Sequence, residues 1–121
     1  MRVVKMTAIR DRFLEAAKRR FTEVEIAGLG LVRIRNLSEG ERSRLEAATH
    51  TDNQKEPGSG TAKWKARMII SAVVDDENQP VFNDSEIGIV LAMDAAISDP
   101  LYDAITSHCE SSVTTEEQEK N

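Results

Sequence analysis

Several features are scarce in this 121-residue sequence: it has one cysteine, three prolines and five aromatic residues, and no apolar run approaches the roughly 20 residues of a membrane-spanning helix. The single cysteine, Cys109, excludes an internal disulfide framework and fits a reducing compartment. The basic start, Met1–Lys5, is followed by no apolar stretch, which argues against a secretory signal. These absences predict a soluble cytoplasmic protein of one domain with a mainly aliphatic core.

The net charge of −5 is distributed unevenly along the chain. Residues 1–20 carry seven basic and two acidic side chains, residues 21–74 carry eight and seven, and residues 75–121 carry one and twelve. The three segments therefore have net charges of +5, +1 and −11. This gradient leaves the fold open but bears on how the protein associates with partners.

The first periodic segment runs from Thr7 to Arg20 and predicts an amphipathic helix. Thr7 is suited to cap its start. Its apolar stripe consists of Ile9, Phe13, Leu14 and Ala17. The basic residues at its end, which are expected to complement the helix dipole, are Lys18, Arg19 and Arg20.

The segment 21–35 alternates apolar and charged residues around a glycine-containing centre, which predicts a β-hairpin. A register that pairs Glu25 with Arg33 gives the hairpin one apolar face and one face of opposite charges. The same register pairs Ile26 with Val32, Val24 with Ile34 and Glu23 with Arg35.

Two helices are predicted after the hairpin. The first begins with a capping box, in which Ser38 is the N-cap and Glu41 reaches back, and it runs to about Thr49. A flexible loop is expected over residues 50–60, which are polar and end in a Pro-Gly-Ser-Gly run. The second helix, capped by Thr61 and running to about Val74, is the most apolar segment and is therefore expected at the centre of the core. Its buried stripe is predicted to contain Trp64, Met68, Ile69, Ala72 and Val73, widened by Ala66 and Ile70.

Two further helices and a tail complete the predicted fold. A helix capped by Asn83, with Glu86 closing the box, runs to about Met93. The last helix starts near Asp99 with Pro100 in its first turn. The sequence thus predicts an α+β but mainly helical single domain over residues 1–109, with about five helices, one hairpin and a disordered acidic tail over 110–121.

The twelve residues from Asp75 to Glu86 have the length and the acidic ends of a calcium-binding loop. Pro80, however, occupies the sixth position, where such a loop needs glycine for its sharp turn, and Gln79 occupies the fifth. The segment is therefore interpreted as a solvated connection between two helices.

No residues form a convincing catalytic or metal-binding set. His108 and Cys109 are adjacent, so on a helix their side chains point about 100° apart, and His50 is the only other histidine. Cys109 is instead expected in the core of the last helix, and His108 near the end of that helix as a cation. The Gly28-Leu29-Gly30 segment lacks the third glycine of a dinucleotide-binding loop. The sequence predicts no catalytic residues, no metal site and no cofactor.

The basic first helix leaves one alternative function open, that of a small nucleic-acid-binding regulatory protein. Against it, the chain is acidic overall, and the basic residues spread around most of the helix instead of lining one face. These residues are Arg10, Arg12, Lys18, Arg19 and Arg20.

The order of segments resembles the tail assembly chaperones of long-tailed bacteriophages and prophages, over about residues 8–109. The resemblance rests on a basic helix leading into a hairpin, followed by a series of short patterns. They are Arg12–Arg20, Phe21–Arg35, Asn36–Arg42, Ala66–Glu77, Pro80–Asp84 and Leu101–Ile105.

The resemblance implies a mainly helical protein that is not an enzyme and that works in the cytoplasm of the host bacterium. Such proteins bind the tape measure protein, keep it soluble, promote polymerisation of tail tube subunits and are absent from the finished virion. They self-associate into rings or spirals, and many also exist in a longer form made by ribosomal frameshifting. The amino acids Glu119–Asn121 can be encoded by a run of adenines that permits such a frameshift.

Together with the charge gradient, the resemblance predicts head-to-tail self-association that weakens with salt. It also implies that apolar surface is available to the tape measure protein. Some of that surface could come from Met68, Ile70, Met93 and Leu101. Core packing is the alternative for these residues and the preferred interpretation for Met68.

Overall fold

The computed structural model describes the backbone of residues 2–120 and the side chains of residues 8–110. Its elements confirm the predicted α+β, mainly helical class. In chain order they are α1 (Arg2–Ala16), β1 (Phe21–Ile26), β2 (Gly30–Arg35), α2 (Glu39–Lys55), α3 (Ser59–Ala72), β3 (Val73–Val74), a 3-10 turn (Asp84–Glu86), α4 (Ile87–Leu91) and α5 (Ala95–Lys120).

The hairpin of β1 and β2 forms as predicted, but its register differs by two residues from the predicted one. Glu23 lies opposite Arg33 and Ile26 lies opposite Gly30, so the loop contains three residues instead of five. The shorter loop is possible because Gly28 and Gly30 adopt φ of 92° and 83°, which other residues rarely reach. A shift of two preserves which residues share a face, so the apolar face remains on the core side.

A third strand extends the sheet beyond the predicted hairpin. Val73 and Val74, expected at the end of a helix, form β3 and pair antiparallel with Ile34 and Arg33 of β2. Both residues are β-branched, a type that favours strands. Asp75 then closes a turn, because its N–H donates to the Gln79 carbonyl at 2.8 Å and its carboxylate accepts from two backbone N–H groups.

The core lies between the sheet and the helices that pack on it. Helix α3 is central, as predicted, since it packs against α2, α4 and α5. Ile34, Ile69 and Ile105 are the largest fully buried side chains and come from β2, α3 and α5. The rest of the buried apolar cluster is Ile26, Leu45, Ala66, Met68, Ile70, Ala72, Val73, Val90 and Leu101.

Helix α2 continues six residues beyond the predicted end, so the expected loop over residues 50–60 is wrong for most of its length. Only Glu56–Gly58 separate α2 from α3. The side chain of Asn53 stabilises this tight connection by accepting from the N–H groups of Gly60 and Thr61, at 2.8 and 3.4 Å. Thr61 is therefore the third residue of α3 and not its cap.

Helix α5 begins earlier than predicted, at Ala95. The carboxylate of Asp94 accepts from the N–H of Ala96 at 2.9 Å and caps the helix. Pro100 consequently lies inside the helix and not at its first position. The predicted disorder of residues 110–121 falls almost wholly on residues whose side chains lie outside the described part of the chain, and it stays a prediction.

Helix α1 ends at Ala16, four residues before the predicted end, and it begins at Arg2, so Thr7 is not its cap. Hydrogen bonds from the N–H of Ala17 to the Phe13 carbonyl and from the N–H of Lys18 to the Glu15 carbonyl close its last turn, at 3.0 and 3.1 Å. The chain that follows leaves the helix axis.

Both predicted capping boxes are confirmed. Ser38 and Glu41 exchange side-chain and backbone hydrogen bonds at the start of α2, at 3.2 and 2.9 Å. Asn83 and Glu86 form the second box, which precedes the 3-10 turn and α4. In each case four consecutive residues are enough to specify the motif, which is why the sequence reveals it.

Gly60 permits the closest approach of α2 and α3, so its replacement tests this packing. A Cβ added there would overlap the backbone carbonyl of Thr49, whereas one added at Gly88 of α4 would meet no atom within 4 Å. We expect Gly60→Ala to lower the free energy of unfolding by about 2 kcal/mol, because the helices must separate. Gly88→Ala, the matched control, is expected to be neutral or slightly stabilising. Urea unfolding followed by circular dichroism measures both, and equal effects would contradict this packing.

Candidate protein-interaction site

The histidine and the cysteine that the sequence offered as catalytic or metal-binding candidates make structural contacts. The Nε2–H of His108 donates to the Arg20 carbonyl at 3.0 Å, so the histidine joins α5 to the segment after α1. Because α5 runs to Lys120, His108 does not lie at the end of the helix, where it was predicted. Cys109 is half-buried and packs against the core, as expected. Among the described residues, no group of three or more His, Cys, Asp or Glu side chains is placed to hold a metal ion.

Glu41 is the centre of a junction between α1, the hairpin and α2. Its carboxylate accepts from the Arg19 guanidinium at 2.5 Å, from the Arg35 guanidinium at 3.0 Å and from the Ser38 N–H at 2.9 Å. Arg19 also donates to the Asn36 carbonyl at 3.0 Å, and Arg35 to the Ser71 carbonyl at 3.0 Å. Arg19 was predicted to complement a helix dipole, but the structure makes it a partner of Glu41 because α1 ends before it.

The environment of Glu41 holds its carboxyl group ionised. Burial by itself raises the pKa of Glu41, but the hydrogen bonds from Arg19 and Ser38 and the charges of Arg35 and Arg19 outweigh it and bring the pKa from 4.5 to about 2. Only 12% of the side chain is exposed, so solvent screens these interactions weakly. The junction is therefore a charged anchor and not a loose surface contact.

The apolar stripe of α1 is exposed, contrary to the usual role of such a stripe as part of the core. Phe13 is 73% exposed, Leu14 50% and Ile9 45%. Within the described part of the chain, no strand or other helix packs extensively against α1. Ile9, Arg12, Phe13 and Ala16 together line a shallow depression on its surface. We call Ile9, Phe13 and Ala16 the α1 face.

The charges around the α1 face are asymmetric. At about 100° per residue, Arg10 and Arg12 lie on the two sides of Phe13, while Asp11 and Glu15 lie on the opposite side of the helix. The exposed apolar strip is thus bordered by arginines, although the helix as a whole carries both signs. Such a strip suits an apolar partner with acidic residues at its edge.

A second candidate surface is a groove of about 280 Å³ formed by the start of α2 together with α3 and α5. Its apolar lining comes from Leu37, Trp64, Met68, Tyr102 and Cys109. The indole N–H of Trp64 donates to the Tyr102 hydroxyl at 3.2 Å, which fixes two aromatic rings in this wall. We call this cavity the Trp64 groove.

Ile70 and Leu101 do not supply partner-binding surface, contrary to the prediction, whereas Met68 lies in the core, the interpretation preferred for it. Met68, Ile70 and Leu101 are buried, and Met93 is half-buried against the core. The apolar surface lies elsewhere. Besides the stripe of α1, the exposed large apolar residues are Leu29, Leu31, Val81, Ile89 and Leu91. Among the described residues, none of the helices has both the length and the apolar character to cross a membrane.

Removing the charge of Glu41 tests the junction. We expect Glu41→Gln to lower the free energy of unfolding at pH 7 by about 2 kcal/mol, because two guanidinium groups lose their anion. The pKa of Glu41 is lower in the folded protein, so its stabilisation is present above pH 4.5 and lost as the pH falls toward 2. The variant should therefore lose less stability than the parent between pH 7 and pH 3.

Urea unfolding at the two pH values measures both effects. Glu46→Gln is the matched control, since Glu46 lies exposed on the same helix. If Glu41→Gln and Glu46→Gln showed the same pH dependence, Glu41 would not be the anchor described.

Comparison with known proteins identifies the fold. No protein-family model matches the sequence, and a comparison with curated proteins finds no match. Among solved structures, the bacteriophage HK97 tail assembly chaperone is similar to this chain, with a TM-score of 0.56 and 19% sequence identity over 72% of this chain and 82% of that one. The chain thus has a tail assembly chaperone-like fold, in agreement with the resemblance seen in its segment order.

Proposed function

We propose that this protein is a phage tail assembly chaperone that binds the tape measure protein, keeps it soluble and promotes assembly of the tail tube around it. The observation that carries the proposal is an exposed apolar helix on a fold shared with the bacteriophage HK97 tail assembly chaperone. In a monomer without partners, such a helix would expose apolar side chains to water, which is unfavourable and brings no binding energy in return.

The distribution of exposed apolar residues supports a role in protein binding. Phe13 and Leu14 lie on α1, Leu31 lies on the hairpin, and Ile89 and Leu91 lie on α4. A long, helical and hydrophobic client such as a tape measure protein requires several apolar contact points, and separate patches provide them without one continuous surface that would cause aggregation.

The remaining parts of this proposed function are inferred from the resemblance to tail assembly chaperones. The protein self-associates into rings or spirals, acts in the host cytoplasm, contacts the tail tube protein and leaves before the virion is complete. A longer form arises by ribosomal frameshifting near the end of the gene. The charge gradient from +5 over residues 1–20 to −11 over residues 75–121 supports head-to-tail association.

The exposed arginines beside the α1 face keep nucleic-acid binding as the second candidate function. The two functions differ in their response to a simple assay. A regulator would shift duplex DNA or RNA in a gel at physiological ionic strength, whereas a chaperone with this acidic balance is expected to give no shift.

Co-expression with the tape measure protein of the same phage tests the main proposal. We expect the soluble fraction of that protein to rise several-fold, because this chain covers its apolar helices. The measurement is the ratio of soluble to total tape measure protein in the cell extract. An unrelated acidic protein of similar size, expressed at the same level, is the control. An unchanged soluble fraction would contradict the chaperone role.

Ionic strength tests self-association. If oppositely charged surfaces hold the copies together, oligomers seen by light scattering at low salt are expected to dissociate between about 0.05 and 0.5 M salt, as the Debye length falls below 10 Å. Oligomers of unchanged mass across this range would contradict the electrostatic account while leaving self-association itself in place.

A further inference from the structure

We propose that the α1 face of one copy docks into the Trp64 groove of a second copy of this chain. The inference rests on the self-association included in the proposed function and adds the contact that produces it. The α1 face, Ile9, Phe13 and Ala16, is the donor surface, and the Trp64 groove is the acceptor.

The α1 face does not use the groove of its own copy. Phe13 keeps 73% of its surface exposed, whereas a phenylalanine seated between Trp64 and Met68 would be largely covered. The segment after α1 is held firmly, since Arg19 binds Glu41 and Arg20 meets His108. This junction fixes the chain that directly follows α1, and the exposed side chains of the helix itself remain available to another molecule.

The chemistry of the groove suits a helix that presents one aromatic side chain. Its walls combine an indole, a phenol ring and a thioether, which contact an inserted ring favourably through their polarizable surfaces. An amphipathic helix in an apolar groove is a recurrent mode of recognition, in which residues spaced i, i+4 and i+7 supply the anchors. Ile9, Phe13 and Ala16 have that spacing.

The charges at the rim of the Trp64 groove also suit the α1 face. Glu39 and Glu110 line that rim against one base, Arg42. These acids complement Arg10 and Arg12, which border the α1 face.

The other apolar cavities fit less well. The one between α3, α4 and α5 has Lys65 and Asp99 paired with each other, so it offers no net attraction. The cavity beside α2 and α3 is lined by three arginines against two acids, and one of these acids, Glu41, already binds Arg35, so the cavity offers no acidic rim to the basic strip. The acidic patch around Leu31 and Val81 has valine and leucine walls without an aromatic side chain or a methionine.

The geometry explains how one weak contact builds an assembly. Donor and acceptor are different surfaces of the same chain, so each docked copy still offers a free α1 face or a free groove. A single helix face buries less than the roughly 800 Å² per partner of a standard stable interface, so each contact is reversible and the assembly depends on concentration.

Disulfide trapping tests the contact directly, because the single native cysteine, Cys109, lines the acceptor groove. Ala16→Cys places a second thiol on the donor face and keeps the Phe13 anchor. On mild oxidation we expect disulfide-linked dimers and a ladder of higher multiples on a non-reducing gel, since each chain then carries one donor and one acceptor thiol. Leu31→Cys is the matched control, because Leu31 is 68% exposed and lies outside both surfaces.

The outcomes are separable. Trapping should be about tenfold faster for Ala16→Cys than for Leu31→Cys, the ratio expected when burial of the retained Phe13 side chain holds the thiols together. The ladder should disappear when Cys109→Ser is added. Equal rates in the two variants would overturn the proposal, as would a disulfide formed within one chain.

A second variant keeps the test independent of thiol chemistry. Phe13→Asp is expected to weaken self-association about tenfold or more by light scattering, whereas Leu31→Asp leaves it unchanged. The exposure of Phe13 predicts an unaltered thermal melt of the dilute variant. Undiminished oligomers of Phe13→Asp would overturn this contact but leave the proposed function standing. A parent protein that is monomeric at every concentration would instead overturn self-association itself.

Discussion

The carboxylate of Glu41 joins the segment after α1, the hairpin and the start of α2. It anchors Arg19 at the root of α1, Arg35 at the end of the hairpin and the Ser38 N–H at the start of α2. Arg35 then continues to the Ser71 carbonyl of α3. One acidic side chain therefore connects the segment after α1, the hairpin and the start of α2, and through Arg35 it is linked to α3.

The arrangement separates the molecule into a packed body and an appended helix. Among the residues whose side chains are described, the buried ones come from the sheet and from α2 to α5, and none comes from α1. The appended helix carries three exposed large apolar side chains, Ile9, Phe13 and Leu14, on a root that is fixed by charge. A rigid root keeps the entropy lost on docking low, which favours binding by such a helix over binding by a loose terminus.

Local motifs and side-chain faces could be predicted from the sequence, whereas long-range contacts could not. Both capping boxes and the two faces of the hairpin follow from a few neighbouring residues. The hairpin register did not, because the charge pairs that suggested it compete with Arg35–Glu41, a contact made only in three dimensions. Val73 and Val74 continue the apolar period of α3, so the sequence could not distinguish the end of the helix from a short strand.

The candidate site could be predicted from the sequence less completely than the fold. The periodicity of Ile9, Phe13 and Leu14 predicts an amphipathic helix correctly, but the same pattern serves a core and an intermolecular contact equally well. Exposure decides between the two, and it requires the structure. The order of segments along the chain was enough to predict the fold similarity. The Glu41 junction and the Trp64 groove could not be predicted, because their residues come together only in the folded chain.

Helix α1 is anchored through the segment that follows it and is covered by another copy when oligomers form. Hydrogen exchange of the α1 amides, compared between dilute and concentrated protein, tests this arrangement most directly. The account predicts rapid exchange over residues 8–16 in the dilute protein and clear protection of the same amides as oligomers form, with α3 protected in both. Strong protection of α1 in the dilute protein would contradict the account, because the helix would then pack on its own body.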